Sequence, residues 1–155
     1  MFRPIILLLT ALAAASGMAS AQVTANQSVL TERVSVGSDG TRRVEMVPAE
    51  KVVPGEKLAY VLTYANEGAR PADGLVLVMP VPADVRPSPG SETGGSADYS
   101  IDGGDNWGPF TELTVTEDGL TRAARAEDVT HLRWRLTESV APGEGGEVSY
   151  RGTLR

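Results

Sequence analysis

Turn-forming residues interrupt this chain at intervals of about ten residues, and that spacing limits the fold more than any other feature. The sequence holds 17 Gly and 10 Pro in 155 residues. The segments between them are rich in Val, Thr, Leu and Tyr, which suit a pleated, half-buried surface. None sustains a 3.6-residue apolar period with caps, so helices are not expected. The alternatives are strands, and the spacing predicts two antiparallel sheets packed face to face.

The individual strands can be placed. Lys57 to Ala65 alternates, with Leu58, Tyr60, Leu62 and Tyr64 on one face and Ala59, Val61, Thr63 and Ala65 on the other. Both faces are fairly apolar, which predicts a central strand. Ser28 to Val36 and Arg43 to Val47 flank the turn Ser38-Asp39-Gly40 and are expected to pair as a hairpin. Gln22 to Gln27 is polar and is expected to be a loose lead-in. Gly74 to Met79 reads as a fully buried strand ended by Pro80. Pro87 to Gly95 is expected to be a mobile surface loop. Ala97 to Ile101 and Phe110 to Val115 are short strands, and Arg122 to Asp128 is an edge strand or one helical turn. His131 to Thr137 places Leu132, Trp134 and Leu136 inward and His131, Arg133 and Arg135 outward. Glu147 to Leu154 is the last strand.

The first residues have a different character. A basic start at Arg3 precedes an apolar run from Ile5 to Ala15, and Ala19-Ser20-Ala21 has the small-x-small form of a cleavage site. That order predicts a secretory signal peptide over residues 1–21 and one domain over 22–155. The run is shorter than the roughly 20 residues that span a bilayer, so no transmembrane segment is expected after cleavage. The net charge is −6, and one unit more acidic without Arg3. Such a balance argues against nucleic acid or anionic lipid as a partner. With no Cys and a single His, disulfides, thiolate zinc sites and multi-His metal sites are excluded within one chain. A chain of this length buries roughly two-thirds of its unfolded surface and needs no covalent staple.

Two turns echo each other, Val53-Pro54-Gly55-Glu56 and Ala141-Pro142-Gly143-Glu144. Pro at the second place presets φ, and Gly at the third supplies the positive φ of a type II turn. Asn66, in Asn66-Glu67-Gly68, can bond the backbone two residues on and close its strand. The order Pro54-Gly55-Glu56, alternating strand, Asn66-x-Gly68, Leu75-Val76-Leu77-Val78 and Val81-Pro82-Ala83 resembles a bacterial conserved-repeat family, domain of unknown function eleven. The likeness runs over about residues 47–155 and includes Pro142-Gly143 and the closing strand. Where the family usually has an Asp before its Leu-Pro, this chain has Met79-Pro80. The resemblance implies an immunoglobulin-like sandwich on an exported or cell-surface protein, and no catalytic residues.

Ser100-Ile101-Asp102-Gly103-Gly104-Asp105-Asn106-Trp107 resembles the Asp-box of sialidases, which is a structural hairpin turn. The same segment offers an alternative ligand site. Tyr99, Asp102, Asp105, Asn106 and Trp107 can be drawn as a glycan-binding set, and Asp98, Asp102 and Asp105 as calcium ligands. Arg133, Arg135 and Arg151 form a candidate basic stripe for an acidic partner, provided that the last two strands pair. A Ser-His-Asp site from His131, Asp128 and Ser139 or Ser149 lacks a nucleophile elbow, and His131 is expected at the surface.

The expectation is therefore an all-β, immunoglobulin-like antiparallel β-sandwich of about seven or eight strands. Its expected role is non-catalytic, in the periplasm, at the cell surface or secreted, without a cofactor. An envelope or surface protein is the expected partner, and the arm from Ser28 to Val47 is the place to receive it by strand addition.

Overall fold

The computed structural model describes residues 22–155, so the expected signal segment lies outside the described residues. The described residues form ten strands: β1 (Val23–Val36), β2 (Arg42–Pro48), β3 (Lys57–Asn66), β4 (Val76–Pro80), β5 (Val85–Pro87), β6 (Ala97–Ser100), β7 (Thr114–Glu117), β8 (Leu120–Ala123), β9 (His131–Arg135) and β10 (Gly145–Leu154). They form a five-stranded sheet in the order β2-β1-β3-β10-β5, a three-stranded sheet in the order β4-β9-β6, and a β7-β8 hairpin. All pairings are antiparallel. The fold is the expected antiparallel β-sandwich. Among the described residues no helix is long and apolar enough to cross a membrane.

The core lies between the two sheets. Leu58, Tyr60, Leu62, Val85, Val148 and Tyr150 come from the large sheet, and Leu77, Met79, Tyr99, Leu132 and Trp134 from the small one. Strand β3 is central, between β1 and β10, as its two apolar faces require. Tyr60 and Tyr150 are cross-strand partners, and their rings stack at 4.9 Å.

The paired turns explain their own echo. Gly55 and Gly143 both take positive φ, +95° and +79°. Gly55 N donates to Leu154 O at 2.8 Å, and Asn66 N donates to Glu144 O at 2.8 Å. Because β3 and β10 run antiparallel, the turn that opens each strand caps the end of the other. Asn66 is fully buried, and its Oδ1 accepts from Gly68 N at 3.0 Å, the expected two-residue bond. Its Nδ2 also donates to Arg70 O at 2.7 Å and to Val140 O at 2.9 Å.

Several expectations are corrected. Residues 23–27 are not a loose lead-in, because they pair with Leu62 to Asn66 of β3. Strand β4 is not buried on both faces. Leu77 and Met79 face the core, while Val76 and Val78 are exposed on an edge strand. The 87–95 segment is tied to β10, with Ser88 N to Arg151 O at 2.8 Å and Thr93 N to Ser149 O at 3.0 Å. Phe110–Glu112 is a 3₁₀ turn ahead of β7, and the 122–128 segment divides into the end of β8 and a 3₁₀ turn at Ala126–Asp128. The strands beyond the expected number are β8, which the sequence left open between an edge strand and a helical turn, and the three-residue β5, which pairs with β10.

Candidate functional site

The Asp-box-like segment forms a turn whose polar groups satisfy one another. Asp102 Oδ1 accepts from Ser100 Oγ at 2.7 Å and from Asn106 N at 2.9 Å, and Oδ2 accepts from Asn106 Nδ2 at 2.7 Å. Gly104 N donates to Ser100 Oγ at 2.9 Å, and Trp107 Nε1 donates to Gly104 O at 2.7 Å. Gly103 and Gly104 take φ of +80° and +99°, where a β-carbon is strained.

This geometry argues against both ligand sets drawn on the segment. Asp98 is directed to Arg133 at 2.7 Å and Arg135 at 3.6 Å, away from the Asp102 bonds. Among the described residues no group of three His, Cys, Asp or Glu is placed to hold a metal ion, so Asp98, Asp102 and Asp105 are not brought together. Tyr99 is buried in the core, and its hydroxyl donates to Glu92. Trp107 has the Arg133 guanidinium 4.4 Å from its ring centre and His131 edge-on at 6.4 Å. One face of its ring is thus covered by a cation. His131 meets Thr130 Oγ1 at 3.1 Å, while Ser149 is engaged with Thr93 Oγ1 at 2.7 Å.

The basic stripe does not form either. Strand β9 belongs to the small sheet and β10 to the large one, so Arg133 and Arg135 are separated from Arg151 by the sandwich. Arg151 pairs with Glu32 at 3.5 Å instead. Arg122 binds Asp128 through both terminal nitrogens, at 2.6 and 3.0 Å.

Two carboxylates in these networks carry an acid dependence. The Asn106 amide, the Asn106 side chain and Ser100 hold Asp102 down to about 2 from its ordinary 3.8. Arg122, then the Arg125 amide, hold Asp128 down to about 2 as well. Folded values below unfolded ones mean that the contribution is complete above 3.8 and is lost as pH falls through about 2. The melting temperature should therefore fall over that window, and the fall should be shallower in Asp102→Asn. An identical slope in the variant would separate Asp102 from acid stability.

The remaining surface of interest is the β1-β2 arm. Strand β3 pairs with β1 only as far as Thr31, opposite Leu58, while β2 pairs with β1 from Leu30 to Val36. Residues 32–36 and 42–46 thus extend beyond β3 as a two-stranded ribbon. Val34 is opposite Val44, Val36 opposite Arg42, and Glu32 opposite Met46. Val34, Val36, Val44 and Met46 share one face of the ribbon and are 47%, 65%, 61% and 40% exposed. The other face carries Arg33 opposite Glu45 and Ser35 opposite Arg43.

Among the described residues, no strand pairs with the backbone of β2 on its far side. Ala49 N donates to Val29 O and Gly37 N to Thr41 O, both at 2.9 Å. Ladder bonds recur at every second residue of an antiparallel pair, so Arg33–Glu45 and Ser35–Arg43 carry them here. The N–H and C=O groups of Arg42, Val44 and Met46 then face away from β1, along the edge of the sheet. The hairpin was legible in the sequence, but the exposed apolar face was not. Alternating Val34-Val36 and Val44-Met46 was its only signal, and that pattern ordinarily marks a core face.

The molecule is thus a β-sandwich with a protruding ribbon, an open edge on β2 and a self-satisfied Asp-box-like turn. No family model matches the chain, and neither does any curated protein or solved structure.

Proposed function

We propose that the chain is a non-catalytic, exported module of the cell envelope or surface that binds a protein partner by adding a strand to β2. The observation that carries this reading is the edge itself. Arg42, Val44 and Met46, alternate residues of β2, present backbone groups that no other described strand pairs with, beside an exposed apolar face. Natural sheets usually shorten, bury or twist such an edge, because it templates pairing with another chain. Here it is held away from the sandwich, where an extended segment can reach it. Export is supported by the order of charge, apolar run and small residues in 1–21, and an address in the envelope by the likeness to the immunoglobulin-type exported family.

Val44→Pro tests the edge. Proline removes the one outward N–H at the centre of β2 without touching the ladder to β1. Proteins from an envelope extract retained by the wild-type chain should protect the Arg42, Val44 and Met46 amides from hydrogen exchange. They should be lost from the Val44→Pro column. Equal retention by both chains would remove β2 from the function. Export has its own check: N-terminal sequencing of the chain secreted by a bacterial host should start at Gln22.

A further inference from the structure

We propose that the occupant of this edge is a second copy of the same chain, paired β2 to β2 about a two-fold axis at Val44. This rests on the reading of β2 as an open pairing edge. The residues that turn their backbone groups outward are Arg42, Val44 and Met46, so antiparallel self-pairing must set these opposite one another. Five such registers centre on the ribbon, at Arg42, Arg43, Val44, Glu45 or Met46. Centring on Arg42, Arg43 or Glu45 puts two like charges directly opposite each other. Centring on Met46 opposes Glu45 to Val47 and leaves Arg43 beyond the strand. Only the Val44 register places Arg43 of each copy opposite Glu45 of the other.

Those two contacts fall at non-hydrogen-bonded positions, where side chains approach most closely. Arg33 is already opposite Glu45 within one copy. The paired ribbon therefore reads Arg33, Glu45 and the second copy's Arg43 across its charged face, with alternating sign. The opposite face gains a row of four valines, Val34 and Val44 of one copy followed by Val44 and Val34 of the other. Val44 and Val34, 61% and 47% exposed in the single chain, acquire apolar neighbours there. Charge selects the register and apolar contact favours it. The product is one sheet continuous through both molecules, joined by six backbone bonds. An edge of this length supports a transient pair at the low end of specific interfaces.

The chain has no Cys, so a single introduced thiol reports the register. Opposed Val44 residues would have Cα atoms about 5.5 Å apart, within disulfide range. Opposed Val34 residues would be three strand spacings apart, about 14 Å. Under mild oxidation Val44→Cys should form a covalent dimer at least about tenfold faster than Val34→Cys or Glu45→Cys. Arg43→Glu and Glu45→Arg should each weaken self-association by about tenfold in sedimentation velocity. An equimolar mixture should restore it, because the acid introduced at position 43 of one variant then meets the base introduced at position 45 of the other. Circular dichroism of each variant checks that it is folded. Equal cross-linking at positions 34 and 44, faster cross-linking at 45, or a mixture no better than its parts would overturn the pairing. If those results came with envelope proteins still lost in Val44→Pro, the edge would serve a different partner. If Val44→Pro also changed nothing, the edge reading would fail with it.

Discussion

Trp134→Ala should lower the free energy of unfolding by about 4 kcal/mol. Trp134 is 1% exposed, lies on β9, the central strand of the small sheet, and is flanked in register by Leu77 of β4 and Ala97 of β6. It belongs to the same buried cluster as Tyr60 and Tyr150 of the large sheet. Deleting it removes the apolar transfer term and leaves a cavity that the two sheets can only partly close. A domain of this size has about 5–15 kcal/mol in total, so the variant should approach the unfolding threshold. Urea titration followed by circular dichroism gives the shift. Trp134→Phe should cost less than half as much. It keeps an aromatic ring, and the Nε1 it removes is buried without a hydrogen-bond partner. If Trp134→Phe proved as damaging as Trp134→Ala, ring volume would not be what Trp134 contributes.

The second large effect is at Asn66. Asn66→Ala should cost about 3 kcal/mol, since it removes three hydrogen bonds of about 1 kcal/mol each; Gly68 N and Arg70 O lose their side-chain partner, and Val140 O keeps only Ala72 N. Apolar burial does not enter this loss, which makes it distinguishable from the tryptophan result. Asn66→Asp should be at least as harmful. It retains the acceptor for Gly68 but turns a carboxylate oxygen towards the carbonyls of Arg70 and Val140. A native-state hydrogen-exchange measurement should show early opening where Val140 meets Ala72 and where Gly143 N donates to Asn66 O. Stability equal to wild type in Asn66→Ala would mean that these side-chain bonds contribute nothing net.

Much of the sandwich was readable because strand chemistry is local. The two-residue period of 57–65 and 131–137 specified which side chains enter the core, and the structure buries Leu58, Tyr60, Leu62, Leu132 and Trp134. Turn residues act over four positions, so Pro54-Gly55 and Pro142-Gly143 were legible as well. The Asp-box-like turn closed as expected, since Ser100, Asp102 and Asn106 bond mainly within their own segment. The errors arose where a residue's fate depends on what lies beside it. Val76 and Val78 have the same apolar run as a buried strand, but β4 is at an edge and one face meets solvent. Residues 23–27 are polar and still form ladder bonds, because β3 has a free side there. Arg133, Arg135 and Arg151 are near one another along the chain and lie in different sheets.

The amino-acid sequence alone determined that this protein is an all-β sandwich, which strands face inward at its centre, and which turns separate them. Those properties depend on alternation and on backbone angles, both set within a few residues. Tertiary structure decided which strands are edges, which carboxylate each arginine meets, and that the first hairpin extends past its neighbour. Pairing partners come from distant segments, so the period of a strand says which residues share a face and not whether anything covers it. For the β1-β2 ribbon, that difference leaves Val34, Val36, Val44 and Met46 exposed.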